Sequence, residues 1–172
     1  LQMLQALLEA DLVTVSTSKL KSVLTHYNKN IVVLPNYFDE TLWQLRPPVL
    51  KKKGEILTIG FMGGNSHRPD IEYVMPVLLD LIKRYPQQIR FRFWGLQPPA
   101  GMLSLPQVEW TPPNSYVYRE FSAFFQTQSA DIFIAPLAVS LFNRCKSPLK
   151  FFEYSALGGS SVLSRLEPYT EV

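Results

Sequence analysis

The stretch ADIFIAPLAVSLFNRCKSPLKFFEYSALGGSSVLS, residues 130–164, decides the fold. It opens on a strand-length apolar run at 131–135, Asp131-Ile132-Phe133-Ile134-Ala135, and a longer loop follows. Ser147-Pro148 then supplies a capping hydroxyl and a proline whose missing N–H costs nothing at the first helical position. A helix is expected over 148–157, and Gly158-Gly159 ends it as a left-handed cap. A second apolar run at 161–164 completes a strand-helix-strand unit. Such a unit joins parallel strands through a right-handed crossover.

The alternation continues upstream. Strands are expected at 56–61, 89–94 and 107–110, with helices at 70–85 and 118–128. Several of these strands are apolar on both faces, as in sheets covered on both sides. The fold class is therefore α/β, a doubly wound, Rossmann-like parallel sheet with helices on both faces. Further upstream lie strands at 12–16 and 31–34 and helices at 1–9 and 17–27. Two strands are too few for an independent domain. Residues 36–54 break the pattern with Pro47-Pro48 and Lys51-Lys52-Lys53, and read as a linker. The division is thus 1–35, a linker at 36–54, and a domain proper at 55–172, with a covering helix expected beyond its last strand.

With 47% apolar and 18% charged residues, the composition fits a globular chain able to bury a core. The net charge of +3 is small, and no basic stripe suits a nucleic-acid backbone. A lone Cys145 permits no internal disulfide, and two distant histidines make no metal cluster. No apolar run is long enough to cross a membrane, and the amphipathic start lacks the pattern of a signal peptide. There is no P-loop and no G-x-G-x-x-G.

In a doubly wound sheet of order 3-2-1-4-5, taken by analogy, ligands bind beyond the carboxyl ends of the first and fourth strands. The loops concerned follow Phe61 and Pro136. In the first, Gly63-Gly64 allows positive φ and close approach of a ligand to the backbone. His67 and Arg68 stand beside a helix N-terminus, where the dipole disfavours cations unless an anion joins them. In the second, Arg144, Lys146 and Lys150 surround the helix start at Ser147. Each such cation costs roughly 0.3–1 kcal/mol against the dipole, and a phosphate reverses that sign. Cations reaching into solvent are the alternative in both loops. Glu153, three residues beyond Lys150, is placed to accept hydrogen bonds from two ribose hydroxyls, or else to pair with Lys150 as an exposed helical acid.

Ala130 to Leu137, Phe142-Asn143, Lys146-Ser147 and Lys150 to Gly158 together resemble the donor-binding signature of group 1 glycosyltransferases of the two-domain B fold. Ala10 to Ser16 resembles the strand closing that family's acceptor domain, Val32 to Asp39 the segment entering its donor domain, and Gly60 to Asp70 its first donor loop. The resemblance spans nearly the whole chain in order. It implies that 1–35 is the tail of an acceptor-side domain missing from these residues, and that 55–172 is the nucleotide-sugar-binding domain. It implies a hexosyltransferase-like enzyme that transfers sugar with retention from a nucleotide-diphosphate sugar to an acceptor molecule. No cofactor, no essential metal and no nucleic-acid partner are implied. The implied location is cytoplasmic, with any peripheral membrane association made through the parent protein.

The resemblance assigns the donor to Gly63, Gly64, Ser147 and Glu153; His67 and Arg68 join them from their place at the helix start, and Asn143 from its place beside Cys145. Arg144, Lys146 and Lys150 would neutralise the leaving diphosphate, an electrostatic form of catalysis. Three departures stand out: Cys145 occupies the place of a sugar-contacting glutamate, Asn36-Tyr37 replaces Asn-Gly, and the loop 65–68 lacks the family's basic pattern. They keep open an alternative, a catalytically degenerate, glycosyltransferase-like nucleotide-binding module. A flavodoxin-like domain is a second rival, disfavoured because no acids cluster after Phe61. Residues 1–172 by themselves are expected to bind nucleotide and transfer little sugar.

Overall fold

A computed structural model describes residues 2–48 and 50–172. Leu1, at the head of the first expected helix, and Val49, in the expected linker, lie outside the described residues. The chain divides into two compact units.

The smaller unit takes in residues up to Tyr37, Val139–Leu149 and Arg165–Val172. It contains helix α1 (Gln2–Glu9), strand β1 (Val13–Val15), helix α2 (Ser18–Leu24) and strand β2 (Ile31–Val33). The two strands pair in parallel, Val13 opposite Ile31. Thr17 caps α2 by accepting from the Leu20 N–H at 3.1 Å. Asn28, 9% exposed, donates to the Leu7 and Ala10 carbonyls and so ties down the end of α1.

The larger unit takes in Phe38–Ala138 and Lys150–Ser164. Its elements are β3 (Leu57–Gly63), α3 (Arg68–Arg84), β4 (Ile89–Gly95), α4 (Ala100–Leu103), β5 (Val108–Thr111), α5 (Tyr118–Phe125) and β6 (Ile132–Ala135). A four-residue helix α6 (Leu141–Arg144) of the smaller unit follows, then α7 (Leu149–Ala156) and β7 (Ser160–Leu163). The sheet is parallel throughout, in the order β5-β4-β3-β6-β7. This is the order assumed by analogy from the sequence: strands are added outward from β3 to β5 on one side and from β6 to β7 on the other, so the winding reverses between β3 and β6.

Alternation along the strands builds two half-cores. Ile59 and Phe61 of β3 and Phe91 and Phe93 of β4 meet Ile71, Leu78 and Ile82 of α3. The other face is aromatic. Phe133 of β6 stacks on Tyr154 of α7 with centroids 4.5 Å apart, and Trp94 of β4 meets Phe125 of α5 edge-on at 5.5 Å. Helices thus cover both faces, α3 one and α5 with α7 the other. Gly60 makes room for the aromatic side, because a Cβ there would lie 2.8 Å from both Ala130 and Trp94.

Part of the expected linker is fixed in place. Trp43 is 2% exposed, with ring centroids within 6.5 Å of Tyr118, Phe121 and Phe125. The Gln126 amide brackets this segment, accepting from the Gln44 N–H and donating to the Leu42 carbonyl, each at 2.7 Å. The Arg46 N–H donates to the Ala156 carbonyl at 2.9 Å. Residues 38–47 therefore run as a strap over α5 and the end of α7.

Candidate functional site

The first ligand loop leaves β3 at Gly63. The strand end is locked by the Leu96 N–H, which donates to the Gly63 carbonyl at 2.6 Å. Gly95 makes that approach feasible: its φ is +84°, and a Cβ would sit 2.6 Å from the Gly63 oxygen. Gly63 and Gly64 themselves do not adopt positive φ, contrary to the reason the sequence suggests for them. Gly63 is small because a Cβ would press on the Phe61 and His67 rings, at 2.9 and 3.0 Å. Gly64 is exposed, extended at φ −88°, and has open space where a Cβ would go. A ligand can approach its backbone from that side.

A 3-10 turn, Asn65–His67, leads into α3 at Arg68, which is exposed. His67 has an acidic neighbour within the chain: its Nδ1 lies 2.8 Å from Asp70 Oδ2. The ring therefore has a carboxylate partner at this helix start without an outside anion. Asp70, 1% exposed, also accepts from the Ala138 N–H at 2.8 Å. One buried carboxylate thus ties the loop after β3 to the end of β6. In the sequence Asp70 is simply an acid in the first turn of a helix, where acids are ordinary.

On α7, Lys150 donates to the Met62 carbonyl at the end of β3, and its ammonium lies 5.4 Å from the centre of the Phe61 ring. Glu153, one turn on, is 4% exposed rather than the solvated acid that the sequence left open. Burial pushes its carboxyl above the usual glutamate range, while Lys150 and a hydrogen bond from Tyr118 pull the other way. That bond, Tyr118 hydroxyl to Oε1, is 3.1 Å long. Among the described residues no hydrogen bond reaches Oε2. The Tyr118 hydroxyl is pushed up to about 12, first by burial and then by the Glu153 charge. Tyr118 and Trp43 carried no local signal in the sequence.

The remaining candidates lie in the smaller unit. The Ser140 hydroxyl caps α6 by accepting from the Asn143 N–H at 3.1 Å, and Asn143 is 4% exposed. The Arg144 guanidinium pairs with Glu167 at 2.9 Å. The Lys146 ammonium lies 4.9 Å from the Phe142 ring centre. The Ser147 hydroxyl accepts from the Asn36 amide at 2.8 Å, and α7 begins two residues later, at Leu149. The Cys145 carbonyl accepts from the Thr17 hydroxyl at 3.0 Å.

Among the described residues, a pair of cavities on the sheet unit bears on ligand binding. The larger, about 690 Å³, lies between α3 and the β3-β6-β7 side of the sheet and is lined by Ile59, Val74, Val77, Leu81, Ile134 and Val162 among others. It is almost wholly aliphatic and lacks cations for a diphosphate. The smaller, about 170 Å³, lies beyond the carboxyl ends of β3, β4 and β5. Gly63, Gly64, Gly95, Pro112, Asn114, Tyr116, Phe121 and Phe124 line it. Its lining carries no cation either, but it is aromatic and lies at the end of a parallel sheet, where ligands bind. Among the described residues no group of His, Cys, Asp and Glu could hold a metal ion, and no helix is long and apolar enough to cross a membrane.

The fold has solved counterparts. The chain is similar to the apo form of the lipopolysaccharide outer core galactosyltransferase WaaB, at 14% identity and a TM-score of 0.57, over 95% of this chain and 46% of that one. It is similar to the apo structure of OtsA, also at 14% identity and a TM-score of 0.57, over 96% of this chain and 48% of that one. The chain spans about half the length of these structures. No protein-family model and no curated protein matches the sequence. At this identity the likeness shows the fold alone, a parallel α/β sheet flanked by helices.

Proposed function

We propose that the sheet unit binds the donor of a retaining glycosyltransferase, a nucleotide-diphosphate sugar. One observation carries the reading: a buried Glu153 with one carboxylate oxygen unbonded stands one helical turn from Lys150, and Lys150 reaches the end of β3 beside the open Gly63-Gly64 loop. A largely buried carboxylate whose second oxygen still meets solvent has acceptor capacity to offer a ligand with paired hydroxyls. A ribose supplies such hydroxyls. The aromatic-lined cavity beyond β3, β4 and β5 suits the flat base. The Gly63-Gly64 backbone and the Lys150 ammonium would face the diphosphate, with His67 and Arg68 at the rim of the same loop.

As the glycosidic bond breaks, negative charge grows on the leaving diphosphate, and a fixed cation stabilises it more in the transition state than in the ground state. Lys150 has that role in this reading. Arg144 and Lys146, in the segment of sequence leading into α7 with Asn143 and Ser147, are proposed as further contributors. Arg144 would have to exchange its Glu167 partner for phosphate. The sugar acceptor would be held by another domain of the parent protein, so residues 1–172 alone would bind nucleotide and transfer little sugar. Cys145, at the position where the resembled family has a sugar-contacting acid, favours the second reading, a nucleotide-binding module without transferase activity. Activity of the parent protein separates the two.

Titration calorimetry with UDP, GDP, ADP and their sugars tests the binding step. One base is expected to bind selectively. Lys150→Ala is expected to weaken it roughly 10–150-fold, the worth of one charge-assisted hydrogen bond of about 1.5–3 kcal/mol. Silence toward all three diphosphates, or equal binding by Lys150→Ala, would overturn the proposal.

A further inference from the structure

Resting on the reading of Glu153 as the ribose acceptor, we propose that Tyr118 is a positioning residue for ribose recognition, held in turn by Trp43 of the strap. With Glu153 ionised, the donors and acceptors allow one direction only. An indole N–H donates and cannot accept. Trp43 Nε1 lies 3.2 Å from the Tyr118 hydroxyl oxygen, so that oxygen accepts from Trp43. The single phenolic proton is then committed to Glu153 Oε1, 3.1 Å away. An ionised carboxylate only accepts, so the chain Trp43 to Tyr118 to Glu153 ends there.

Two consequences follow for the carboxylate. Its rotation is fixed, because Oε1 is held by a phenol that is itself fixed by an indole 2% exposed. Oε2 is left without a hydrogen bond among the described residues, so it is the oxygen offered to a ligand. The indole lies edge-on to Phe121 and Phe125, with centroids at 6.3 and 6.4 Å, which leaves it little freedom to turn. The strap thereby reaches the nucleotide site through two side chains and no bound ligand of its own.

The test compares UDP, GDP and ADP with their 2′-deoxy counterparts by calorimetry, in the wild type, Tyr118→Phe and Trp43→Phe. Both substitutions keep a ring and remove one hydrogen-bonding group, and Trp43→Phe serves if Tyr118→Phe folds poorly. The wild type is expected to prefer the ribose form. Tyr118→Phe is expected to lose roughly tenfold of that preference while binding the 2′-deoxy form as before. Trp43→Phe is expected to lose part of it. In the free protein, carbon-13 NMR of the Glu153 carboxyl should show its titration midpoint moving up in Tyr118→Phe, since the hydrogen bond it loses favours the charged form. A role in packing alone would shift neither the preference nor the midpoint. An undiminished preference in Tyr118→Phe would overturn the inference and leave the donor site standing. A wild type that binds diphosphates without preferring ribose would remove the role of Glu153 and this inference with it. A wild type that binds none would remove the donor site as well.

Discussion

Replacing Gly158 by alanine tests whether the strap is seated against the end of α7. Gly158 has φ +74°, and a Cβ there would lie 2.2 Å from the Pro47 carbonyl oxygen and 2.9 Å from its carbon. Both obstacles are backbone, so no side-chain rotation relieves them. A left-handed conformation costs a non-glycine residue about 1–2 kcal/mol. Moving Pro47 strains the neighbouring bond from the Arg46 N–H to the Ala156 carbonyl, worth about 0.5–1.5 kcal/mol. Against this, alanine restricts the unfolded chain and returns about 0.4–1 kcal/mol. The net loss centres on about 2 kcal/mol, or roughly 4–8 °C in Tm for a chain of this size. Urea and thermal unfolding followed by tryptophan fluorescence measure it, since Trp43 and Trp94 both sit beside Phe125. Gly64→Ala is the control: its space is open, so stability should stay within about 0.5 kcal/mol while diphosphate binding falls. A Gly158→Ala variant as stable as the wild type would refute the packing of residues 38–47 described above.

Glu153→Gln should make the free protein more stable near pH 7 and leave it unchanged near pH 4. Burial raises the folded-state carboxyl, so between the unfolded and folded values the native state keeps a proton that the unfolded chain has released. Stability is therefore fullest below that window and declines as pH rises through it. Glutamine removes the decline, and urea midpoints at the two pH values read it directly. The same variant should bind ribose diphosphates more weakly, opposing the gain in stability. Tyr116, 99% exposed at the small cavity, should act on the base alone. Tyr116→Ala should leave Tm unchanged and weaken nucleotide binding about 5–150-fold, the worth of one base–aromatic stack of roughly 1–3 kcal/mol. Unchanged affinity in calorimetry would remove the base from that cavity.

The sheet was legible because its strands are short apolar runs punctuated by Gly, Pro and capping residues, and both signals are local. β3 and β4 run one or two residues past the expected ends, into Gly63 and Gly95, because the Gly63 carbonyl finds the Leu96 N–H. Helices α4 and α6 have four residues each, too few to show a helical period. Gly158 is the left-handed cap the sequence predicts, whereas Gly63 is a glycine for space rather than for φ, and Gly64 has room for a side chain. The strap was hidden by its surroundings. Pro47-Pro48 and three lysines suggest a solvated linker, yet the segment contains Trp43, and a tryptophan seldom lies idle in water. The roles of Asp70, Tyr118 and Trp43 are not legible in local sequence because their partners are distant along the chain. Ala138 stands 68 residues from Asp70, and Tyr118 stands 75 from Trp43 and 35 from Glu153. Local pattern carries no trace of such pairings.

The most direct check is an amide NMR titration of the chain with the diphosphate that calorimetry selects. Binding as proposed should move the signals of Gly63, Gly64, Lys150 and Glu153 together, with one shared saturation curve. Shifts confined to Val74, Val77, Leu81 and Val162, around the aliphatic cavity beneath α3, would contradict a diphosphate held at the carboxyl ends of the strands.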